Sequence, residues 1–571
     1  MSGEWKAVAI DYDGTLTVTA RPGGEVLEAL RETRAAGKAV VLVTGRILAE
    51  LHEDFPEVED EFDAIVAENG AVLADGDGIR DLAMPVDPAL ADALTHRDVL
   101  VRQGRVLLAG RADDATVALE EIGRLGLDCQ LVRNRGELMM LPAGVSKGSG
   151  LVEALGNLGI SRHSTIAVGD AQNDLSLLEV CEVGVAVGNA VTSLRERADV
   201  VLDTADGEGV VELLRGPILT GASRVLPRDW ELDLGVAADG NPVRIPASQI
   251  NVLVTGGSGS GKSYLTGLLA EQLNRSGYSL LLLDREGDHV DLAARRGILA
   301  LGGFEGVPAP PHLDALLGHR FGSIVLDLSL LDHVAQHDYL RTVAPFVISH
   351  RATTGLPHWI FLDEAHTACG DPVLHDEVGD GGATGYCYST YRPDDLPESV
   401  RDHFDFVVVT AGGSYGARES LGFAARLAGL DCETVEAQLG ASHGDALLIT
   451  VDGTRPPVRF AVATRSTGHV RHWHKYVNGQ LPQQLRFYFA DTGAIAPNIR
   501  EFQRQIATCP DGTLDSHVAH HDFSRWIGDV LQDHRLAASI RDIEERRRQE
   551  DLDTDAVRDE VRAVIAARYL E

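Results

Sequence analysis

The sequence predicts an α/β protein built from two successive α/β units and a mostly helical C-terminal segment. Three observations support this prediction. Short apolar runs, such as residues 39–43 and 280–283, have the length of buried strands and end in loops rich in Asp, Gly, Ser and Thr. Apolar residues with helical spacing follow several of these loops. Residues 530–571 mix charges of both signs, as is typical of a solvated helical face.

Length, charge and cysteine content narrow the class of protein. A chain of 571 residues corresponds to roughly three to four domains. The 51 Lys and Arg residues and 86 Asp and Glu residues give a net charge of −35, which disfavours a generally basic protein that coats nucleic acid. A locally basic channel remains compatible with this charge. Six scattered cysteines and strand-sized apolar runs disfavour a disulfide framework and a membrane span. With no leader-like start, the sequence predicts a cytoplasmic protein.

The first chemical motif follows the apolar run at residues 6–10. Residues 11–15 read DYDGT, so Asp11 and Asp13 lie at the carboxyl end of a predicted parallel strand, where ligands bind. One carboxylate can attack phosphorus, while the other protonates the leaving oxygen and then activates water. Mg²⁺ suits this chemistry because it lets an anionic nucleophile approach an anionic phosphate. By themselves, these residues also fit a turn or a calcium loop.

Three later segments favour phosphate chemistry. The strand at 39–43 runs into Thr44-Gly45-Arg46, which offers a hydroxyl and free backbone N–H groups to phosphate. Lys147 precedes an amphipathic helical segment and can stabilise charge near its N-terminus. The strand at 165–168 runs into residues 169–174 (GDAQND), an acidic loop suited to a metal ion.

These motifs, in this order, resemble the haloacid dehalogenase superfamily of phosphohydrolases over roughly residues 1–215, and within it the capped Cof and phosphoglycolate phosphatase branch. The resemblance implies that Asp11 is the nucleophile, Asp13 the acid and base, and Lys147 the catalytic charge stabiliser. It also implies that phosphate contacts Thr44, Gly45 and Asn173. The implied Mg²⁺ ligands are Asp11, Asp13, Asp170 and Asp174.

The segment between the second and third motifs is interpreted as a cap. Residues 68–71 (ENGA) predict a hairpin with an Asn-Gly turn, which we interpret as a backbone signal and not as a site. Residues 77–143 alternate helical and strand-like patterns and resemble a substrate-selecting cap module. The resemblance therefore implies a phosphatase core at 1–76 and 144–222, a cap at 77–143, and a phosphorylated small molecule as substrate.

A second motif set begins after the turn-rich stretch that follows Pro217. A strand at 251–255 leads into GGSGSGKS, a complete GxxxxGK[ST] phosphate loop followed by an apolar helix. Its backbone amides cradle phosphates, Lys262 reaches the outer phosphates, and the Ser263 hydroxyl is a Mg²⁺ ligand. The predicted ATP-binding residues are Gly256, Gly257, Ser258, Gly259, Ser260, Gly261, Lys262 and Ser263.

Two acidic segments accompany this loop. The strand at 358–362 ends in residues 363–366 (DEAH), where Asp363 fits a metal ligand and Glu364 a group that polarises water, although an acidic helix start reads similarly. Residues 284–288 (DREGD) end an intervening strand. The combination resembles the HerA/FtsK-type ATPases over roughly 228–465. It implies a RecA-like P-loop domain at 223–465 that hydrolyses ATP with Mg²⁺ and forms a homo-oligomeric ring, a hexamer in that family.

Within that resemblance, Tyr391 stands where the family has a polar sensor, usually glutamine. Ring ATPases of this kind borrow an arginine from the neighbouring subunit. Arg351, Arg392 and Arg418 are candidates for this role, and each also fits a surface or packing position.

The remaining segment, 466–571, is predicted to be a helical accessory domain. Residues 469–476 (HVRHWHKY) interleave basic and aromatic side chains, which fits a strand at a subunit contact, a single-strand nucleic-acid surface or, least well, a metal site.

The combined prediction is a bifunctional enzyme, a Mg²⁺-dependent phosphatase joined to an oligomeric ATP-driven motor for which DNA is a candidate partner to translocate. Two alternatives remain open: a nucleic-acid end-processing phosphatase and kinase, and a scaffold whose assembly is gated by nucleotide with the phosphatase as effector.

Overall fold

The computed structural model describes residues 5–134, 136–318, 322–368, 383–413, 416–439, 444–467, 481, 483–531, 533–549 and 551–569. The fold is α/β, with two large sheets, a small cap sheet and a helical C-terminal region. The basic and aromatic run at 469–476 lies outside the described residues.

The first sheet carries the motifs of the first α/β unit. Within the described chain it has eight strands, in the spatial order Val200–Val201, Val183–Ala186, Thr165–Gly169, Ala7–Asp11, Ala39–Val43, Ala64–Ala67, Val72–Asp75 and Gly78–Asp81. The first six run parallel and the last two are antiparallel. The central strands are apolar and buried on both faces, as parallel strands covered by helices require.

Helices cover both faces of this sheet and follow its strands in sequence. They span Gly24–Ala35, Leu48–Asp54, Val58–Glu61, Lys147–Leu158, Leu175–Val180, Thr192–Arg197 and Asp206–Arg215. Because each parallel strand is followed by a loop at the same sheet edge, the acidic loops after Ala7–Asp11 and Thr165–Gly169 come together.

The cap is a separate layer with its own apolar core. Its antiparallel sheet has the order Arg102–Gln103, Leu108–Arg111, Glu137–Pro142 and Cys129–Asn134, and its helices are Pro88–Thr95 and Ala115–Leu125. The strand Gly78–Asp81, which falls inside the segment expected to be cap, extends the first sheet instead.

The second sheet carries the phosphate loop. Its strands have the order Pro242–Pro246, Glu231–Ala237, Val458–Val462, Asp445–Thr450, Phe406–Thr410, Asn251–Thr255, Tyr386–Thr390, Trp359–Leu362, Leu280–Asp284, Ser323–Asp327 and Ile298–Gly302. From Phe406–Thr410 onwards the strands run parallel. The strand before the phosphate loop is therefore internal, and apolar clusters lie on both faces of the sheet. Helices span Lys262–Ser276, Pro310–Leu317, His333–Thr354, Ala365–Ala368, Glu398–Arg401, Ala417–Ala428 and Cys432–Leu439.

The two large sheets meet through a buried polar and aromatic junction. His163 stacks on Tyr278 with ring centroids 3.7 Å apart, and its Nδ1 lies 2.6 Å from Glu182. The Tyr278 hydroxyl donates to the same carboxylate, and His358 Nε2 lies 3.0 Å from Ser161 Oγ. Burial lowers the pKa of His358 well below its usual range, with a smaller contribution from His163, so the His358 ring is neutral at pH 7.

This junction fixes the orientation of the two sheets. Its residues directly precede the strands Thr165–Gly169, Leu280–Asp284 and Trp359–Leu362, so the contact lies at the amino ends of these strands. The acidic loops follow the carboxyl ends of the same strands. Both sets of candidate catalytic residues therefore lie at sheet edges remote from the junction.

The C-terminal region is mostly helical and has its own apolar core. A two-stranded hairpin, Phe487–Phe489 with Ala494–Ala496, precedes the helices Ile499–Thr508, Asp511–Ala519, Asp522–Asp529, His534–Arg548 and Thr554–Tyr569. In the described part of the chain, no helix is both long and apolar enough to cross a bilayer.

Candidate functional sites

Three buried carboxylates form the centre of the first site. Asp11 ends its strand, and Asp170 follows the adjacent parallel strand. Asp11, Asp170 and Asp174 each offer an oxygen within 4.8 Å of the others, and all three are buried. Asp174 is held by backbone N–H groups of Asp170 and Ala171, which donate to its Oδ2 at 3.0 and 2.9 Å.

Lys147 connects two of these acids. It begins the helix Lys147–Leu158, whose N-terminus is closed by a capping box between Ser146 and Ser149. Its Nζ donates to Asp11 Oδ1 at 2.5 Å and to Asp174 Oδ1 at 2.6 Å. Burial lowers the pKa of Lys147, but the two carboxylates outweigh it and raise the pKa above its usual range. The side chain is therefore an ammonium ion.

The charge of the cluster favours a divalent cation. Three carboxylates face one ammonium, which leaves two uncompensated negative charges when all are ionised. Burial, and then the Asp174 carboxylate, raise the pKa of Asp11 well above its usual value. Mg²⁺ fits this donor set, since it prefers carboxylate oxygens and its two charges balance the excess. Asp11, Asp170 and Asp174 would hold the ion.

Asp13 follows this cluster's Asp11 by two residues, but its partner is the guanidinium of Arg46. Both of its carboxylate oxygens accept from Arg46, at 2.9 Å for Nε to Oδ2 and 2.6 Å for Nη2 to Oδ1. The Arg46 guanidinium also contacts Asp54 at 2.6 Å and lies 4.8 Å from the centroid of the Tyr12 ring. The sequence flagged Arg46 only as the end of the Thr44-Gly45-Arg46 segment, and its ion pair with Asp13 was missed.

The predicted phosphate-binding residues surround the same edge. Thr44 is fully buried, and its Oγ1 accepts from the Arg46 backbone N–H at 3.1 Å. A Cβ built on Gly45 would lie 4.0 Å from Asn173 Nδ2 and 3.2 Å from the sulfur of Met139, a cap residue. The structure therefore brings Thr44, Gly45 and Asn173 together under the cap.

The second site is built on the phosphate loop between the strand Asn251–Thr255 and the helix Lys262–Ser276. Gly256 and Gly261 have φ of +150° and +100°, and a Cβ on Gly256 would lie 2.2 Å from Thr410 Oγ1. The Ser260 hydroxyl bonds the same Thr410 oxygen at 2.6 Å. Glycine is thus required for the loop to pass this close to the neighbouring strand. Gly257, Ser258 and Gly259 complete the loop.

The two reactive side chains of the loop have partners within the chain. Lys262 Nζ donates to the Gly257 carbonyl oxygen at 3.0 Å and lies 5.8 Å from the centroid of the Tyr391 ring. Ser263 Oγ donates to Asp288 Oδ2 at 3.0 Å. Tyr391, at the expected sensor position, therefore lies at the phosphate loop.

A second buried cluster contains Asp284, His289 and Asp363, whose donor atoms lie within 4.8 Å of one another. The pKa of Asp363 is raised to about 7: burial raises it most, His289 lowers it, and neighbouring acids, including Asp284, raise it further. A cation held here would offset the acids, and the two carboxylates are oxygen ligands of the kind that Mg²⁺ prefers. The sequence predicted Asp363 and Ser263 but gave no role to His289.

Glu364 follows Asp363 in a left-handed backbone conformation, with φ of +49°. Its Oε2 lies 3.4 Å from His366 Nδ1, which also lies 2.9 Å from Thr390 Oγ1. Burial, and then Arg392, lower the pKa of His366 to about 4, so this ring is neutral at pH 7. His366 thus links Glu364 to the strand that ends beside Tyr391.

The arginine candidates differ in their surroundings. Arg351 donates to the backbone oxygens of His358 and Thr384, at 2.9 and 2.5 Å, and serves packing within its own chain. Arg392 lies 5.5 Å from the Tyr391 ring centroid, and Arg418 is exposed in the first turn of its helix.

A buried arginine that was not predicted, Arg285, lies near the acidic cluster. Its Nε donates to Gln336 Oε1 at 2.8 Å, and burial lowers its pKa while Glu364 and Asp363 raise it. Its position directly after Asp284 was the only available sequence signal.

Comparison with known proteins separates the chain into two matched regions. Residues 8–92 and 128–214 match the family model described as haloacid dehalogenase-like hydrolase. Residues 236–316 match the family model described as Helicase HerA, central domain.

Curated relatives named as phosphoglycolate phosphatases match a little over a third of this chain. A phosphoglycolate phosphatase of Methanothermobacter thermautotrophicus is 33% identical over 219 residues, which are 37% of this chain and 97% of the relative. One of Archaeoglobus fulgidus is 33% identical over 221 residues, 37% of this chain and 96% of the relative. Among solved structures, a haloacid dehalogenase-like hydrolase from Bacteroides thetaiotaomicron is 22% identical, covers 37% of this chain and 98% of its own, and has a TM-score of 0.32.

Proposed function

The chain belongs, through its N-terminal region, to the haloacid dehalogenase-like hydrolases, and we propose that this region is a Mg²⁺-dependent phosphomonoester hydrolase. The observation that carries the proposal is the buried contact of Lys147 with Asp11 and Asp174, beside Asp170. Mg²⁺, when bound, supplies the positive charge that lets a phosphate approach these acids.

The proposed reaction uses two aspartates in sequence. Asp11 attacks phosphorus through a carboxylate oxygen, the bond from phosphorus to the leaving oxygen breaks, and Asp13 donates a proton to that oxygen. Asp13 then takes a proton from water, whose oxygen attacks phosphorus and breaks the bond to Asp11. Since both Asp13 oxygens accept from Arg46, the proposed reaction requires the Asp13 carboxyl to leave this ion pair and to be protonated before it acts as the acid. Lys147, Thr44, Gly45 and Asn173 orient the phosphate.

For the substrate we propose a small phosphomonoester, with 2-phosphoglycolate as the first to test because the relatives carry that name. The test compares kcat/KM, which reports the first step, for 2-phosphoglycolate and for p-nitrophenyl phosphate in the wild type and in Asp13→Asn. Loss of the proton donor should slow the alkyl phosphate at least tenfold more than the aryl phosphate, whose leaving group needs less protonation. Equal losses on both substrates would reject Asp13 as the acid.

For residues 223–465 we propose an ATPase that works as a homo-oligomeric ring. Lys262 would contact the nucleotide phosphates, and Ser263 would be a Mg²⁺ ligand. Asp363 would lie beside the ion, and Glu364 would polarise the attacking water. The support is the HerA match at 236–316 together with the side chains gathered around the phosphate loop. Movement of DNA is a further part of this proposal.

Five described cysteines are free thiols, in keeping with a cytoplasmic location.

The ATPase test uses Asp11→Asn, so that released phosphate does not come from the phosphatase site. ATP hydrolysis is measured with and without duplex DNA, and Lys262→Ala is the blank. Stimulation by DNA that disappears in the blank supports a translocase. Hydrolysis that ignores DNA, or nucleotide binding without hydrolysis, favours instead the nucleotide-gated scaffold, which the Tyr391 position also favours.

A further inference from the structure

Glu68 lies in the turn that the sequence marked as a simple hairpin, yet its side chain reaches into the cap. The residue is fully buried. Its Oε1 accepts from the backbone N–H of Arg105 at 2.9 Å, and its Oε2 accepts from those of Val106 and Leu107 at 2.9 and 3.1 Å. Three consecutive cap amides thus converge on one carboxylate of the core. Hydrogen bonds of this kind, with a charged acceptor, are among the strongest in proteins.

The cap segment is shaped to receive this carboxylate. A Cβ on Gly104 would lie 2.5 Å from Glu68 Oε2, so a larger residue there forces the carboxylate and the cap amides apart. Gly104 also donates its backbone N–H to the Leu107 carbonyl oxygen at 2.9 Å, which closes the loop around the carboxylate. The contact therefore depends on both partners and on a fixed separation between cap and core.

The turn that carries Glu68 also touches the phosphate-binding residues. Glu68 and Asn69 have φ of +53° and +55°, a conformation that non-glycine residues keep only when their surroundings hold them. Asn69 donates its backbone N–H to the Thr44 carbonyl oxygen at 2.9 Å, and its Oδ1 accepts from Asn173 Nδ2 at 3.2 Å. Gly70 passes so close to Ser146 that a Cβ would lie 1.9 Å from its carbonyl oxygen.

We propose that Glu68 is the positioning residue that seats the cap on the catalytic core and thereby sets substrate affinity. The proposal rests on the phosphatase function proposed above. Its basis is that one turn joins the cap amides at 105–107 to Thr44 and Asn173, so the cap cannot shift without disturbing the turn. Glu68 acts through the cap and touches neither phosphate nor the reacting aspartates.

The test replaces Glu68 by Gln, which keeps the shape but puts an NH₂ group against backbone N–H groups. The full chain is studied with Mg²⁺. We expect KM for 2-phosphoglycolate to rise about tenfold or more while kcat stays within threefold, because binding is weakened and the chemical groups are intact. Hydrogen exchange of the amides of Arg105, Val106 and Leu107 should become at least about 100-fold faster.

Two further variants distinguish an effect of the Glu68 contact with the cap from a general loss of stability. Gly104→Ala attacks the same contact from the cap side and should reproduce both effects. Glu121→Gln is the matched control, since Glu121 is a buried cap glutamate that pairs with Arg97 and Arg124 inside the cap, and it should change neither KM nor exchange at 105–107.

A folded Glu68→Gln protein that keeps either the wild-type KM or the wild-type exchange protection overturns the proposal. If Asp11→Asn shows that the wild type has no phosphatase activity to lose, the proposed function fails by itself. The exchange measurement then still decides whether Glu68 seats the cap, because it requires no turnover.

Discussion

The two candidate sites differ in what their central lysine contacts. Lys147 lies between the carboxylates of Asp11 and Asp174, at 2.5 and 2.6 Å, so cation and anions are already joined within one chain. Lys262 instead contacts the Gly257 carbonyl oxygen and the face of Tyr391, while the acids near it cluster with His289. In the first site the lysine is therefore ion-paired within the folded chain. In the second site the described contacts of the lysine are with a carbonyl oxygen and an aromatic ring.

The sites also lie at opposite edges of one molecule. Because the junction of His163, Glu182 and Tyr278 contacts the amino ends of strands from both sheets, the catalytic loops are at the remote ends. The two groups of candidate catalytic residues therefore lie on opposite sides of the junction within one chain.

The largest expected effect is the selective loss of one proposed activity in a variant of the corresponding site. Asp11→Asn should lower phosphomonoester hydrolysis on the order of 10³-fold or more, since the nucleophile is lost, and leave ATP hydrolysis within twofold. Lys262→Ala should do the reverse. Steady-state phosphate release with each substrate measures both. A variant that abolishes both activities would contradict the separation of the sites.

Stability should distinguish the two lysines next. Lys147→Ala leaves three buried carboxylates without their cation and should cost about 3–5 kcal/mol. Lys262→Ala removes a hydrogen bond to a carbonyl and should cost about 1 kcal/mol. Urea unfolding without Mg²⁺ measures the shift in midpoint for each variant. Similar shifts would show that the two lysines are not held differently.

Tyr391 offers a smaller test within the ATPase site. Tyr391→Gln places a polar amide at the position where the HerA/FtsK-type resemblance implies a polar sensor. It should raise ATP hydrolysis roughly tenfold, because one more oriented hydrogen bond can reach the reacting phosphate or water. Tyr391→Phe keeps the ring beside Lys262 and is the control. Unchanged turnover in Tyr391→Gln would remove the sensor interpretation of this position.

The smallest expected effect is a pH dependence of folding stability that arises from His358 at the junction. His358 is neutral in the folded protein because burial lowers its pKa, whereas the unfolded ring binds a proton below about pH 6.5. The unfolded state thus binds more protons in acid, so stability is lost as the pH falls below 6.5. Relative to His358→Gln, the wild type should lose about 1 kcal/mol between pH 6.5 and 5.5. Urea midpoints at both pH values check this; parallel losses in the two proteins would reject it.

The sequence alone located the loops that carry the candidate catalytic residues. The strand ends at Asp11, Asp170 and Asp363 and the complete phosphate loop were readable because apolar runs followed by Asp or Gly mark strand-to-loop transitions. Parallel strands then bring such loops to one edge, which the structure shows for Asp11 and Asp170. The α/β class and the helical C-terminal region follow from the same periodicities.

Tertiary structure decided which side chains meet across long separations in the chain. The ion pair of Asp13 with Arg46, the contact of Glu68 with the amides at 105–107, and the place of His289 in the acidic cluster were not indicated by any local sequence signal. The junction around His163 and Tyr278 depends on how two sheets dock, and no local periodicity encodes that docking. Periodicity reports which residues are buried, whereas the partner of a buried charge is fixed only when the chain packs.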